Sequence, residues 1–307
     1  MLKVMRERLE KKTRRIFHAI HESQRTSKLI SNRLLGLYSA EYFRVPPDFF
    51  RDGVCLDAGC GSNAHAARKL LMMGAKKVYA LDLDKTFVKT AGRSLENFKG
   101  RYQLDVGNIL GLKYDSNFFD FTLCAGVLHH IANPWLGLKE LARVTKAGGV
   151  LYVEVYGEGG LIRQITKILR DQYTEDIGFK RTIDRLKPKD FLLVYDWIVS
   201  KMKARGDPYW KRVPRKIINK LFDEDLVLTI KDRIQAPIYQ EISYADLVSW
   251  LKGNGFINIM RLTRYPRFRN VRRFLSPFYS EFDHDFSRFL YGDGNFQIRA
   301  TKQKKAK

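Results

Sequence analysis

Asp57, Gly59, Gly61 and Asp82 are the residues whose types and spacing imply ligand chemistry most directly. The first three lie in VCLDAGCGSNA, from Val54 to Ala64, a short strand that runs into a glycine turn. The turn fits G-x-G-x-x-A, one form of the dinucleotide fingerprint, and a lone match of this kind is weak. Glycines there let the backbone approach a ligand closely, and a helix starting after Ser62 aims free N–H groups at negative charge. Asp82 ends the next strand, 23 residues after Gly59. A carboxylate at that point accepts two hydroxyl protons from a ribose diol, in charge-assisted bonds of about 1.5–3 kcal/mol each. Nicotinamide dinucleotides and adenosyl sulfonium cofactors both carry the diol, so Asp82 does not choose between them. Asp57 does. A carboxylate directly before the glycine turn repels a pyrophosphate but helps to hold a sulfonium and an ammonium, directly or through water. Its plainer alternative is a strand-end cap or salt bridge.

Other reactive side chains are less specific. Three cysteines, at 55, 60 and 124, are odd in number and lack zinc spacing, which reads as buried reduced thiols. Cys60 has no sequence partner for nucleophilic work. His129 and His130 in GVLHH, with Glu154 and Tyr156 on the next strand, are the candidate bases near the strand ends. A histidine in such a loop is more often packed than catalytic. His129 is the one better placed to reach a pocket.

The elements that must position these residues alternate. VCLDAG, KVYALDLD, YQLDVGN, FDFTLCAGVLHH and VLYVEVYG read as strands. HAARKLLMMG, KTFVKTAGRSLENF and PWLGLKELARVTKAGG read as helices, the last with Pro at its start and Gly-Gly after its end. This cadence predicts an α/β fold, a doubly wound, Rossmann-like and mostly parallel sheet with helices on both faces. The pattern resumes with SYADLVSWLKGNGF as a helix, then INIMRLTRY and NFQIRATK as strands. The expected organisation is an N-terminal helical segment over 1–50 and a core over 51–157 and 243–307. A helical insertion over 158–242 is the expected substrate lid, and a second insertion spans about 266–292. Residues 3 to about 35 are expected to be helical, before an aromatic stretch ending in Pro46-Pro47.

The chain has 307 residues and a net charge of +23. Residues 50–157 hold 14 Lys/Arg against 10 Asp/Glu, whereas 158–307 hold 31 against 18. The excess therefore lies outside the glycine-turn segment and favours an anionic partner: RNA, a phosphorylated metabolite or an anionic membrane surface. Solubility alone is the bland alternative. No apolar run reaches the roughly 18 residues of a transmembrane span, and no secretory signal is evident, so the expected location is cytoplasmic.

Five pieces then stand in order over about residues 52–157: LDAGCGSN, ALDLD, DSNFFDF, GVLHHI and ELARVTKAGG. In that order and spacing the chain resembles the class I S-adenosylmethionine-dependent methyltransferases, especially the branch of the ubiquinone- and menaquinone-biosynthesis methyltransferases. SYADLVSWLKGNGF and the strand after it resemble the family's last helix and strand. The resemblance implies S-adenosylmethionine as cofactor. It implies a cofactor-binding set of Asp57, Ala58, Gly59, Cys60, Gly61, Asp82, Leu83, Gly107, Asn108, Ala125, Gly126 and Tyr38. Asp57, Gly59 and Gly61 fall at the methionine end, Asp82 at the ribose and Leu83 against the adenine. Asn108 stands where the family usually has an Asp that accepts the adenine amino proton, and an Asn oxygen can still accept it. Ala125 and Gly126 fall beside the methionine moiety. Tyr38 and Tyr42 are candidates to close over the cofactor.

Methyl transfer needs an aligned nucleophile, methyl and sulfur in a site that excludes water. A base is needed only where the nucleophile arrives protonated. The expected acceptor is a small-molecule or lipid-linked compound, anionic or aromatic. Tyr173, Phe179, Phe191, Tyr195, Trp197, Tyr209 and Trp210 in the insertion either line its pocket or form a small helical core. RLTRYPRFRNVRR, at 261–273, is the densest basic patch. The alternatives are an RNA methyltransferase, which the charge favours, and a non-catalytic cofactor-binding adaptor. The common RNA base N-methylation signature is absent, because Cys124-Ala125-Gly126-Val127 stands in its place.

Overall fold

A computed structural model of the chain describes residues 9, 11–18, 35–212, 215–221, 231–262 and 283–304. Seven strands form one sheet: β1 (Val54–Ala58), β2 (Lys77–Asp82), β3 (Tyr102–Val106), β4 (Phe119–Ala125), β5 (Thr145–Tyr156), β6 (Phe256–Leu262) and β7 (Asn295–Lys302). Their order is β3-β2-β1-β4-β5-β7-β6. The first five are parallel, and β7 runs antiparallel between β5 and β6. This is the doubly wound, Rossmann-like class that the cadence predicts.

Strand residues alternate between two cores, as the pleat requires. Leu56, Leu151 and Phe296 face helices Pro134–Val144 and Tyr244–Gly253 through Leu138, Leu141, Leu247 and Leu251. Cys55, Phe121 and Tyr152 face the other way, onto Leu70 and Leu71 of helix His65–Met72 and Phe87 of helix Phe87–Leu95. Phe43 and Phe50 are fully buried in that second core, so the chain before β1 packs directly against the sheet.

Helix Pro134–Val144 starts as expected, with Pro134 at its first position and Asn133 Oδ1 accepting the Leu136 N–H at 3.0 Å. It stops before the Gly148-Gly149 pair expected to end it. Thr145 turns to an extended conformation and opens β5, its hydroxyl donating to the Leu141 carbonyl at 2.7 Å. The β-branched pair Val144-Thr145 thus hands the chain from helix to strand.

Between β5 and β6 the chain forms helices Leu161–Glu175, Ile177–Arg185, Pro188–Ala204 and Arg215–Leu221. Helix Asp285–Tyr291 precedes β7. Residues 11–18 are helical, but most of the expected N-terminal helix and most of the 261–273 basic patch lie outside the described residues. Among the described residues, no helix is long and apolar enough to cross a membrane.

Candidate functional site

The strand register sets Ala58 beside Leu81, Asp82 beside Val106 and Ala125 beside Glu154. The glycine turn, Asp82, Gly107-Asn108 and Ala125-Gly126 therefore meet along the carboxyl edge of the sheet. Their place is the reversal of strand order between β1 and β4, where open α/β sheets bind ligands.

The glycine turn is tied to β2 through its backbone. Gly59 and Cys60 N–H groups both donate to the Leu81 carbonyl, at 2.7 and 3.1 Å. Gly59 sits at φ +81°, and a Cβ there runs into Cγ2 of Val127. That position needs glycine on both counts. The Gly61 N–H donates to Asp82 Oδ2 and the Asp84 N–H to Asp82 Oδ1, each at 2.9 Å. Two amides thus fix the carboxylate, and each oxygen keeps a lone pair for a further donor. That pair of acceptors fits a ribose diol. Beside it, Gly126 at φ +75° has open space where a Cβ would stand.

Asp57 is 2% exposed, and its Oδ2 accepts the Ala67 N–H at 2.8 Å. Helix His65–Met72 begins from Ala64 in a left-handed conformation with no side-chain cap of its own. Ala67 is its third residue, the amide that a capping side chain normally satisfies. Asp57 supplies that cap from β1, so the strand-end cap accounts for one of its oxygens. Burial pushes the Asp57 carboxyl up to about 7, against the Ala67 hydrogen bond and with a further push from Asp82. A cation placed beside it reverses that shift.

Asn108 turns its Oδ1 back onto the Leu110 N–H at 3.0 Å. Leu83, Gly107 and Asn108 are half-buried beside Asp82. Cys60 is half-buried on the turn, and burial, with Asp57 and Asp82 adding, pushes its thiol well above the ordinary range. All three cysteines are free, as reduced thiols. Tyr38 is buried, stacked on Phe43 at 5.3 Å and edge-on to Tyr152 at 6.0 Å. The Tyr42 hydroxyl meets that of Tyr152 at 3.1 Å. Both tyrosines contact Tyr152, in the middle of β5.

Closer to the strand tips lies a contact the sequence pattern did not single out. His18 Nδ1–H donates to Asp84 Oδ2 at 3.0 Å, and the Thr86 hydroxyl donates to the same oxygen at 2.7 Å. Burial alone raises Asp84, but Thr86 and His18 outweigh it and hold the carboxyl below its usual range. Phe17 packs on His130 with ring centroids 4.8 Å apart. Residues 17 and 18 therefore reach from the end of β2 to the loop after β4. An isolated His in a basic helix carries no sequence signal for this.

His129 is buried. Its ring lies on Tyr156 with centroids 3.7 Å apart, and its Nδ1 accepts the Tyr156 N–H at 3.3 Å. Burial, then His130, Arg163 and Arg233, pushes it well below the ordinary histidine value. It is a neutral ring with its proton on Nε2. His130 donates from Nδ1 to the Ile238 carbonyl at 2.9 Å. The Tyr156 hydroxyl donates to Asp232 Oδ2 at 2.9 Å.

Around Tyr156 gathers a group of cations. The Arg163 guanidinium lies 4.6 Å from the Tyr156 ring centre and that of Arg233 5.7 Å. Arg170 lies 4.7 Å over Tyr239. Arg163 and Arg170 are anchored by carbonyls: Gly157 and Gly294 for the first, Arg233, Ile234 and Ala236 for the second. The insertion aromatics read from sequence sit elsewhere. Tyr173 and Phe179 pack with Ile183 and Ile234 in a small separate core, while Trp197 and Tyr209 are exposed. The Phe191 side chain lies outside the described residues.

Residues 56–153 match the family model described as a methyltransferase domain. An uncharacterized protein of Methanocaldococcus jannaschii is 29% identical over 183 residues, 56% of this chain and 74% of that protein. Another, from Synechococcus, is 28% identical over 222 residues, 65% of this chain but only 46% of that protein. Among solved structures, the chain is similar to one from a complex of the Haloferax volcanii Trm112 methyltransferase activator. That likeness has a TM-score of 0.52 at 14% identity and covers 94% of this chain and 98% of the other. It concerns the fold. The domain match, the strand order and the two acceptor oxygens of Asp82 agree: the chain has the class I fold and carries a methyltransferase domain over residues 56–153, with S-adenosylmethionine as its cofactor.

Proposed function

We propose that the enzyme methylates a small-molecule or lipid-linked acceptor that is anionic or aromatic. The observation that carries this reading is the cluster at the end of β5, where Arg163 and Arg233 face Tyr156 and Arg170 faces Tyr239. The gathered cations favour negative charge on the acceptor, and the rings among them favour an aromatic one. The resemblance to quinone-pathway methyltransferases supports a lipid-linked ring among such acceptors.

In this reading the cofactor supplies a methyl group activated on a sulfonium, and the chain's own residues do the rest. Asp82 takes the ribose hydroxyls, held in place by the Gly61 and Asp84 amides. Gly59, Gly61 and Gly126, with Ala58, Cys60 and Ala125, form the wall beside the methionine end, and Asp57 braces that wall through Ala67. Leu83, Gly107 and Asn108 border the adenine. Tyr38 supports the site from behind Tyr152. Phe17 and His18 shield the edge from water. Exclusion of water and alignment are the main demands of an in-line displacement. An acceptor arriving ionised next to Arg163 needs no base. His129 is the base candidate for one that arrives protonated, but its Nδ1 first has to release the Tyr156 amide.

RNA is the second reading, favoured by the charge of +23. One experiment separates the two. Methyl-labelled cofactor is incubated with the enzyme and a cell extract, and label is counted in the aqueous, lipid and RNA fractions. Label in metabolites or lipid, lost with Arg163→Met, supports the leading reading. Label in RNA alone overturns it.

A further inference from the structure

Helix Pro188–Ala204 presents large apolar side chains to solvent. Leu193 is 62% exposed, Val194 58%, Trp197 63% and Ile198 45%. Positions i, i+1, i+4 and i+5 share one helix face, so these four form a continuous stripe. The helix packs against the turn at Pro208–Arg212 and helix Arg215–Leu221. No side chain described between 190 and 219 is buried. A helix in a soluble setting normally hides such a stripe, so this one fits a second surface.

Charge identifies that surface. Residues 187–221 contain ten Lys/Arg and three Asp/Glu. Each acid is already engaged. Asp190 accepts the Lys187 N–H, Asp196 pairs with Arg215 at 3.1 Å, and Asp207 accepts the Tyr209 N–H. Several of the bases lie over aromatic rings: Lys203 4.1 Å from the Trp210 ring centre, Arg212 4.3 Å from that of Tyr209, and Lys201 5.9 Å from that of Trp197. Apolar side chains edged by Trp, Tyr and long cations match the boundary between acyl chains and anionic headgroups, where rings sit at headgroup level and amines reach the phosphates.

We propose that this helix, with the Pro208–Arg212 turn and helix Arg215–Leu221 packed against it, docks on an anionic lipid surface, with the 193–198 stripe inserted in the interface plane. The helix lies on the bilayer and does not cross it, because at 17 residues it spans about 26 Å and is bordered by charge. Docking is independent of which acceptor is methylated. It gives an enzyme that uses a lipid-linked acceptor a way to meet it.

The test is co-sedimentation of the full chain with vesicles of phosphatidylglycerol and phosphatidylcholine, against phosphatidylcholine alone. Binding to the anionic vesicles is expected, weakened by salt because part of it is electrostatic. The double variant Leu193→Ser/Trp197→Ser is expected to lose about tenfold or more in vesicle affinity, and Lys201→Gln/Arg212→Gln to lose chiefly the preference for anionic lipid. Both changes are at exposed sites, and the thermal shift with S-adenosylhomocysteine reports that each variant stays folded with its cofactor site intact. Wild-type protein that ignores anionic vesicles overturns the proposal. So does a double variant that binds them equally well, or one whose only change is from dimer to monomer by light scattering, which assigns the stripe to a second copy of the chain. None of these outcomes touches methyl transfer to an aqueous acceptor, so the two readings fail separately.

Discussion

The Gly61 amide donates to Asp82 Oδ2 at 2.9 Å, joining the glycine turn after β1 to the last residue of β2. The carboxylate is therefore aimed before any ligand arrives. Asp82→Ala removes both the ribose acceptor and this tie, and the protein is expected to show no rise in melting temperature with S-adenosylhomocysteine where the parent shows a clear one. Asp82→Asn keeps one oxygen and loses the charge, so its affinity should fall by roughly 10–100-fold, the worth of one charge-assisted bond. An undiminished shift in the alanine variant removes Asp82 from the site.

Gly59 answers to two constraints at once, its φ of +81° and the contact with Val127. Gly59→Ala is expected to cost about 1–2 kcal/mol for the left-handed backbone, with more for the clash. Adding Val127→Ala relieves the clash alone. Urea unfolding of the single and double variants should therefore show a partial recovery in the double, beyond the sum of the separate effects. No recovery means that the backbone, not Val127, dictates glycine here.

The sheet was legible because its signals are local. Strand and helix periods, the glycine turn and the Pro134 start all lie within a few residues of the element they set. Asp57, Gly59 and Asp82 were legible for the same reason, as strand-end residues flanking a turn. What the sequence hid is held by distance. His18 meets Asp84 across 66 positions, and Tyr156 meets Asp232 across 76. Arg163 and Arg170 carry no local signal in the sequence, yet the fold turns them onto tyrosine faces and carbonyls. The insertion aromatics misled in the opposite sense, since Trp197 and Tyr209 carry rings but face solvent. Asp57 shows the mixed case: its position was readable, but its bond to Ala67 depends on where the next helix starts.

Asp57 also gives the fold a pH signature. Its carboxyl stands at about 7 in the folded chain against an ordinary value of 3.8. Between those values the folded state holds a proton that the unfolded chain releases. Its contribution to stability is therefore greatest at the acid end and falls as pH rises from about 4 to about 7, then stays level. Asp57→Asn leaves an oxygen for the Ala67 amide and removes the titration. Urea midpoints measured across that range should lose this falling component in the variant. Equal slopes in both proteins place the titration elsewhere.

His129 tests whether proximity to a strand tip makes a base. Its Nδ1 is committed to the Tyr156 amide, and burial keeps the ring neutral. Asn at this position can offer an oxygen to the same amide while removing the imidazole. His129→Asn should lose about 0.5–1.5 kcal/mol through the missing stack on Tyr156, read from the denaturation midpoint. Its kcat should stay within a few-fold of the parent, and the acid limb of the pH–rate profile should not move. A general base is worth about 10²–10⁴-fold. A loss of that size, with the Tyr156 contact and cofactor affinity preserved, makes His129 the proton acceptor and means the amide bond opens during turnover.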